Sequence, residues 1–242
     1  MKIDLFDRYD IRARICALVF VVSPFLLDAY ILVDAVRNIS FTAIITAVLI
    51  ASSGLFSCWI RYSGNTASRG DYIAEFLLPE SSAISTTSRE RYWKKLQDLE
   101  PSFSGLSSDN ATKRKETAES VSPWLREQTR TGEFKLIQEE NMNYGFIRNV
   151  FSVKSIFLWT FSIYSLLLIS VAIITNLDLS LQDYLMTIPT EHVVCGIIHI
   201  TTYLIWFFGV TPRILDFSAR KYAMAVIRAI DEGYAWLLEY LK

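Results

Sequence analysis

The chain has 242 residues, 52% of them hydrophobic, and is nearly neutral, with 24 Lys and Arg against 25 Asp and Glu. Its mean hydropathy of +0.28 is too high for an ordinary soluble protein of one or two domains. The near-zero net charge points to no partner by itself, so the distribution of apolar and charged residues along the chain carries the information.

About twenty apolar residues are needed to cross a hydrocarbon core of roughly 30 Å. Four stretches reach that length: 15–33, interrupted only by Asp28, and 38–60, 155–177 and 192–212, which contain no Lys, Arg, Asp or Glu. Each can span as a helix that satisfies its own backbone. The first run is long for the core of a signal peptide and no small-x-small cleavage pattern follows it, so it reads as a permanent span. Basic residues are segregated: four precede the first span, fourteen lie between Arg61 and Lys154, and five follow from Arg213, whereas Asp34–Arg37 holds one and Asp178–Glu191 none. The flanks Arg12, Arg14, Arg61, Arg148, Lys154 and Arg213 therefore place both termini and the central segment on the cytoplasmic side of the membrane.

Beyond the second span, Tyr72, Ile73, Phe76 and Leu77 recur at helical spacing and stop before Pro79. Thr87 and Glu90 make a capping box for a helix through Tyr92, Trp93, Leu96 and Leu99 that ends before Pro101. Residues 102–112 read as a loop, 113–119 as solvated charge, and Ser122–Pro123 as the start of a short helix ended by Gly132. A helical stretch with Phe134, Leu136 and Ile137 leads to a polar and aromatic cluster, 139–149, just before the third span. After Pro212, Leu215, Ala219, Tyr222, Val226, Ala229, Gly233, Trp236 and Tyr240 form a heptad stripe on an amphipathic helix, which has one side to bury against the central domain, the membrane surface or a copy of itself. The fold expected is an all-α integral membrane protein: spans one and two in 1–60, a helical cytosolic domain in 61–154, spans three and four in 155–212, and the tail helix in 213–242.

Ionisable residues within the spans bear on function first, because a charge at membrane depth costs at least about 2.5 kcal/mol. Asp28 either reaches the outer interface or sits at a pore mouth, where Asp34, Asp178, Asp183 and Glu191 would add negative charge favouring cations. His192, Cys195 and His199 share roughly one face of the fourth span, but no fourth metal ligand is visible, and His199 reads as facing the interior, bonded to hydroxyls or lining water. Thr42, Thr46, Ser53 and Ser57 occupy a narrow sector of the second span and serve either packing or water. Asp28, Thr46, Ser53 and His199 are thus the pore or gate candidates. The three cysteines, Cys16, Cys58 and Cys195, all fall within spans and give no disulfide framework. Phosphate-binding Gly-rich loops, His-Glu-x-x-His, Cys-x-x-Cys and Gly-x-Ser-x-Gly motifs are absent, so neither an enzyme nor a cofactor is expected.

The central segment offers a different chemistry. Arg126, Arg130, Lys135 and Arg148 lie among Trp124, Phe134, Tyr144 and Phe146, with Asn141, Asn143 and Asn149 as amides. Guanidinium groups pair with phosphates and aromatic rings stack on bases, which suits a nucleotide; the same basic residues also satisfy the orientation rule and anchor to headgroups without any ligand.

The order Trp124, Leu125, Arg126, Glu127, Gln128, Thr129, Arg130, then Phe134, Glu140, Asn141, Tyr144, Gly145, Phe146, Arg148, Asn149 and Lys154, with Pro212, Ala219, Tyr222 and Ala223 in the tail, resembles a family of small bacterial four-span membrane proteins of nucleotidyltransferase-linked anti-phage defence, most closely the membrane channel effector of the Hailong system. That family shows Arg-Arg-Asn and Gly-Leu-Lys where this chain has Ile147-Arg148-Asn149 and Ser152-Val153-Lys154. The resemblance implies a homo-oligomeric ion channel, with a tetramer as first guess, that acts in abortive infection. A nucleotide-like signal, an oligodeoxyadenylate or a cyclic nucleotide, made by a partner nucleotidyltransferase would hold it shut. The ligand residues expected are Trp124, Arg126, Arg130, Lys135, Asn141, Tyr144, Arg148 and Asn149. A non-conducting membrane anchor or sensor that recruits a protein partner is the alternative.

Overall fold

The computed structural model describes residues 8–37, 62, 70–130, 134–175 and 188–232. All described elements are helical, and the chain divides into two compact units, one of Met1–Ser68 with Gly145–Leu215 and one of Arg69–Tyr144 with Asp216–Lys242. The second expected span, with Thr42, Thr46, Ser53 and Ser57, lies outside the described residues, as do Asp178, Asp183 and the tail beyond Glu232.

The first unit is built on three helices long and apolar enough to cross a membrane. A π-helical turn, Asp10–Ile15, runs straight into α1, Cys16–Leu32. Pro24 lies inside α1 and has no N–H for the carbonyl of Phe20; the Ser23 hydroxyl donates to that oxygen instead, at 3.0 Å. The other two apolar helices belong to a 40-residue helix, Lys135–Ile174, and to Thr190–Leu204, which tightens into a π-helical turn at Ile205–Gly209. In chain order these two are α5 and α6. The polar cluster 139–149 and the third span, read from the sequence as successive segments, are one uninterrupted helix, because no proline or capping residue breaks the run.

Aromatic side chains fill the interior of this unit. Trp206 of α6 stacks on Phe157 of α5 at 3.9 Å between centroids and lies 5.5 Å from Phe20 of α1; Phe25 packs edge-on to Phe161 at 5.5 Å. Each such pair contributes about 1 kcal/mol beyond its area. The sequence of contacts fixes direction. Rising along α1, Ala13 meets Asn149 and Phe25 meets Phe161, so α1 and α5 run parallel. Along α6, His199 meets Ser165 while Trp206 meets Phe157, so α6 runs antiparallel to both. The outward faces are apolar: Trp159 is 74% exposed and Phe208 76%, with Ile163, Leu167, Ile197 and Ile200 beside them.

The ends of this unit are tied by polar contacts. A Cβ on Gly145 of α5 would come within 2.6 Å of the Tyr9 hydroxyl and 3.0 Å of Ala13 Cβ, so the absence of a side chain allows the close approach. One turn on, Asn149 Nδ2 donates to the Ala13 carbonyl at 2.6 Å, inside the π-helical turn. Lys154 Nζ donates to the carbonyl of Val210 at 2.7 Å.

In the second unit, α2 (Tyr72–Leu77) is capped by Asp71, and α3 (Thr86–Leu99) by Ser85, whose oxygen accepts from the Ser88 amide at 3.2 Å. The expected cap, Thr87, is already helical; Ser85 has the extended backbone that a cap requires. A 3₁₀ turn, Pro101–Ser107, occupies part of the expected loop. Next comes α4, Ala111–Gln128, capped by Asn110. It begins about three turns earlier than the Ser122–Pro123 start read from the sequence. Pro123 sits within it, at a cost of roughly 3 kcal/mol, offset because Ala118, Val121 and Leu125 are buried on one face. Arg89 is buried and donates to the carbonyls of Pro79, Ser81 and Ile84, while Trp93 Nε1 donates to Leu77 O at 2.9 Å; these clamp the turn between α2 and α3. The tail helix α7, Pro212–Glu232, buries Ala219, Val226 and Ala229 of the predicted stripe in the same core as Phe76, Leu96 and Leu125, so intrachain packing takes that face.

Candidate functional site

Two constellations can carry function, one in each unit. In the first unit Asp28 of α1 is fully buried, and its Oδ2 lies 2.6 Å from Nε2 of His199 on α6. It does not reach outward to an interface. The other ring nitrogen, Nδ1, is 2.8 Å from the Ser165 hydroxyl on α5, so one imidazole joins all three helices. A hydroxyl partner was expected for His199, and Ser165 of α5 supplies one. Tyr164 and Cys195 face the same carboxylate. Phe161 and Tyr164 flank the imidazole at 4.7 and 5.8 Å between ring centres.

The Ser165 hydroxyl makes two contacts with one proton, to the Phe161 carbonyl at 2.7 Å and to Nδ1 of His199 at 2.8 Å. A carboxylate buried among apolar helices needs a partner, and Nε2 of His199 supplies it. Asp28 Oδ1 has no hydrogen-bond partner. The Asp, His and Ser set has the composition of a hydrolytic triad but with the ring nitrogens exchanged, the carboxylate on Nε2 and the serine on Nδ1. His192, on the same face of α6 in the sequence reading, has its Nδ1 buried without a partner, and among the described residues no group of three or more His, Cys, Asp or Glu is arranged to hold a metal.

The second constellation concerns the residues expected to bind a nucleotide. Trp124, Arg126, Arg130, Lys135, Asn141 and Tyr144 fall in the second unit, and Arg148 and Asn149 in the first. Asn149 is buried and committed to Ala13. Trp124 packs edge-on to Phe103 at 5.4 Å, and Tyr144 stacks on Tyr222 with 9° between planes, so each ring already has a protein neighbour. Arg126 is held by Asp71 at 3.0 Å, and the same carboxylate oxygen accepts from Ser122 at 2.8 Å and from the Ile73 amide. Arg130 is 79% exposed and pairs loosely with Glu127 at 3.5 Å; Lys135 is exposed.

Sequence reasoning missed a charged network beside this group. Arg220 of α7 bridges Asp216 and Glu75 and lies 4.5 Å from the Tyr72 ring centre, while the Tyr72 hydroxyl donates to Asp216. Burial, then the Asp216 contact, push the Tyr72 hydroxyl above its ordinary value. Burial opposes the charge on Arg220, but Asp216 and Glu75 outweigh it and the guanidinium is held above its usual range. A cleft of about 190 Å³ lined by Asp71, Ala74, Glu75, Leu78, Lys115 and Glu119 lies on this side. Its three carboxylates against one ammonium do not suit a phosphate, so the exposed guanidiniums of Arg126 and Arg130 are the better anion contacts. No protein family, curated protein or solved structure matches this chain.

Proposed function

We propose that this protein is a multi-pass channel in a bacterial inner membrane, opened and closed by a nucleotide or oligonucleotide bound to its cytosolic helices, and that it acts as the effector of an anti-phage defence system. The observation that carries the reading is the Asp28–His199 pair: an ionisable pair among lipid-length apolar helices is costly, and such residues mark ion or proton pathways. Four crossings are supported by direction. The parallel run of α1 and α5 is what a further crossing between them would give, and 38–60 is an uncharged stretch of sufficient length for it. Termini on the cytoplasmic side follow from the basic flanks. Stacked aromatic rings occupy the interior of one copy, so the conducting path belongs to a homo-oligomer, a tetramer in the simplest arrangement. Purified protein in dye-loaded liposomes is expected to release ions, with release altered by an oligodeoxyadenylate; vesicles that stay tight under both conditions overturn the channel.

A second reading, a non-conducting membrane anchor that recruits a protein through its cytosolic helices, is favoured by the enclosure of Asp28, which presents no carboxylate to a water path. It predicts that His199→Leu leaves cellular activity and membrane integrity unchanged, whereas the channel reading expects altered conduction or toxicity.

A further inference from the structure

The buried pair sits among aromatic side chains, and the smallest species it can exchange is a proton. Asp28 is fully enclosed with Oδ1 unpartnered, His199 is 13% exposed, and Phe25, Phe161 and Tyr164 surround the contact. The groups facing it are Tyr164 and Ser165 from α5 and Cys195 from α6; among the described residues no charged side chain other than the pair lies there. We propose that Asp28 and His199 form a proton-binding site whose second state separates the helices: the ion pair takes up one proton on Asp28, the carboxylate becomes a carboxylic acid, and the imidazolium is left without a counter-charge.

The step balances as one proton gained and the pair changing from neutral to a charge of plus one. An uncompensated cation among apolar helices is unfavourable. The contact that joins α6 to α1 is the one that weakens, because it loses the attraction while Ser165 keeps its bond to the ring. Acid is therefore expected to favour a more open packing of α6. This inference rests on the reading that the three helices lie in a bilayer.

The test uses full-length protein in bilayers, with Cys16 and Cys58 replaced by Ala so that Cys195 is the remaining thiol. Asp28→Asn imitates the protonated side chain. At one fixed neutral pH it is expected to raise the rate at which a membrane-permeant maleimide modifies Cys195 by about tenfold, the signature of a shifted opening equilibrium; equal rates overturn the proposal. Infrared difference spectra of the native chain between neutral and acidic buffer supply a second readout. Subtracting the Asp28→Asn difference spectrum, in which the other carboxyls protonate equally, is expected to leave a protonated-carboxyl band in acid, and His199→Gln is expected to carry that band already at neutral pH; identical spectra for native and Asp28→Asn protein overturn proton uptake on Asp28. Ion release from the same vesicles separates the two ideas. Proton uptake and faster labelling without release keep the binding site and remove the channel, whereas release that is indifferent to acid and to Asp28→Asn keeps the channel and removes the site.

Discussion

Lys154 closes the end of α6: its ammonium lies 2.7 Å from the carbonyl of Val210, fifty-six residues away in sequence. The carbonyl is available because the amide of Ile214, which would reach Val210 in a continuing helix, turns to the Thr211 hydroxyl at 3.4 Å. A charge-assisted bond to a stranded carbonyl contributes roughly 1.5–3 kcal/mol. Lys154→Met, which keeps the length and loses the donor, is expected to lower stability by about that amount; thermal unfolding followed by circular dichroism in detergent checks it, and an unchanged midpoint removes the cap.

The contact between Gly145 and the N-terminal turn makes a second prediction. Gly145→Ala places a methyl group 2.6 Å from the Tyr9 hydroxyl and 3.0 Å from Ala13. Overpacking of this kind costs about 1–3 kcal/mol. Tyr9→Phe removes the nearer atom, so the double substitution is expected to recover part of the loss; no recovery would place the strain at Ala13 instead.

Asp231 gives a pH dependence. Burial alone would raise its carboxyl, but Lys95 at 2.8 Å and Arg91 at 2.7 Å outweigh that and hold it below the ordinary value. The unfolded chain therefore binds the proton more readily. The stabilisation is complete above the unfolded value of about 3.9 and is lost as pH falls through the lower folded value. Asp231→Asn is expected to cost roughly 0.5 kcal/mol at neutral pH, since both partners are partly solvated, and to flatten the acid limb of the unfolding curve below about pH 4. An acid limb identical to that of the native chain refutes the assignment.

For the nucleotide-binding proposal, Asp71 competes with any phosphate for Arg126. Arg126→Ala is expected to weaken oligodeoxyadenylate binding about tenfold and to reduce the salt slope by roughly one. Asp71→Asn removes the competitor and is expected to tighten binding. Fluorescence anisotropy with a labelled oligonucleotide across a salt series reads both, and affinity indifferent to salt points to another mode of recognition.

What the sequence showed depended on whether a feature was local. Uncharged length located the helices at Cys16–Leu32, Thr190–Gly209 and the apolar part of Lys135–Ile174, because lipid thickness is a one-dimensional constraint. The tail stripe at Leu215, Ala219 and Val226 was legible for the same reason: a helix period is written in consecutive residues. Ser122–Pro123 was read as a helix start because proline favours a first turn, yet Asn110 had already capped the helix and burial of Val121 and Leu125 carried it through the proline. The partnership of Asp28 with His199 joins positions 171 residues apart and depends on the rotation of two helices about their axes, which composition does not encode. Of the nucleotide-site residues, the types were legible but their commitments were not: Arg126 answers to Asp71, and Asn149 to Ala13.

One turn before Asp28, the hydroxyl of Ser23 covers the carbonyl that Pro24 strands. A helix interrupted by proline is a hinge, and in oil an ordinary hinge is a leak, since its bare carbonyl invites water. This one is sealed from within. The proline therefore leaves no bare backbone oxygen beside the segment that bears Asp28, and the surroundings of the carboxylate stay dry on that side of α1.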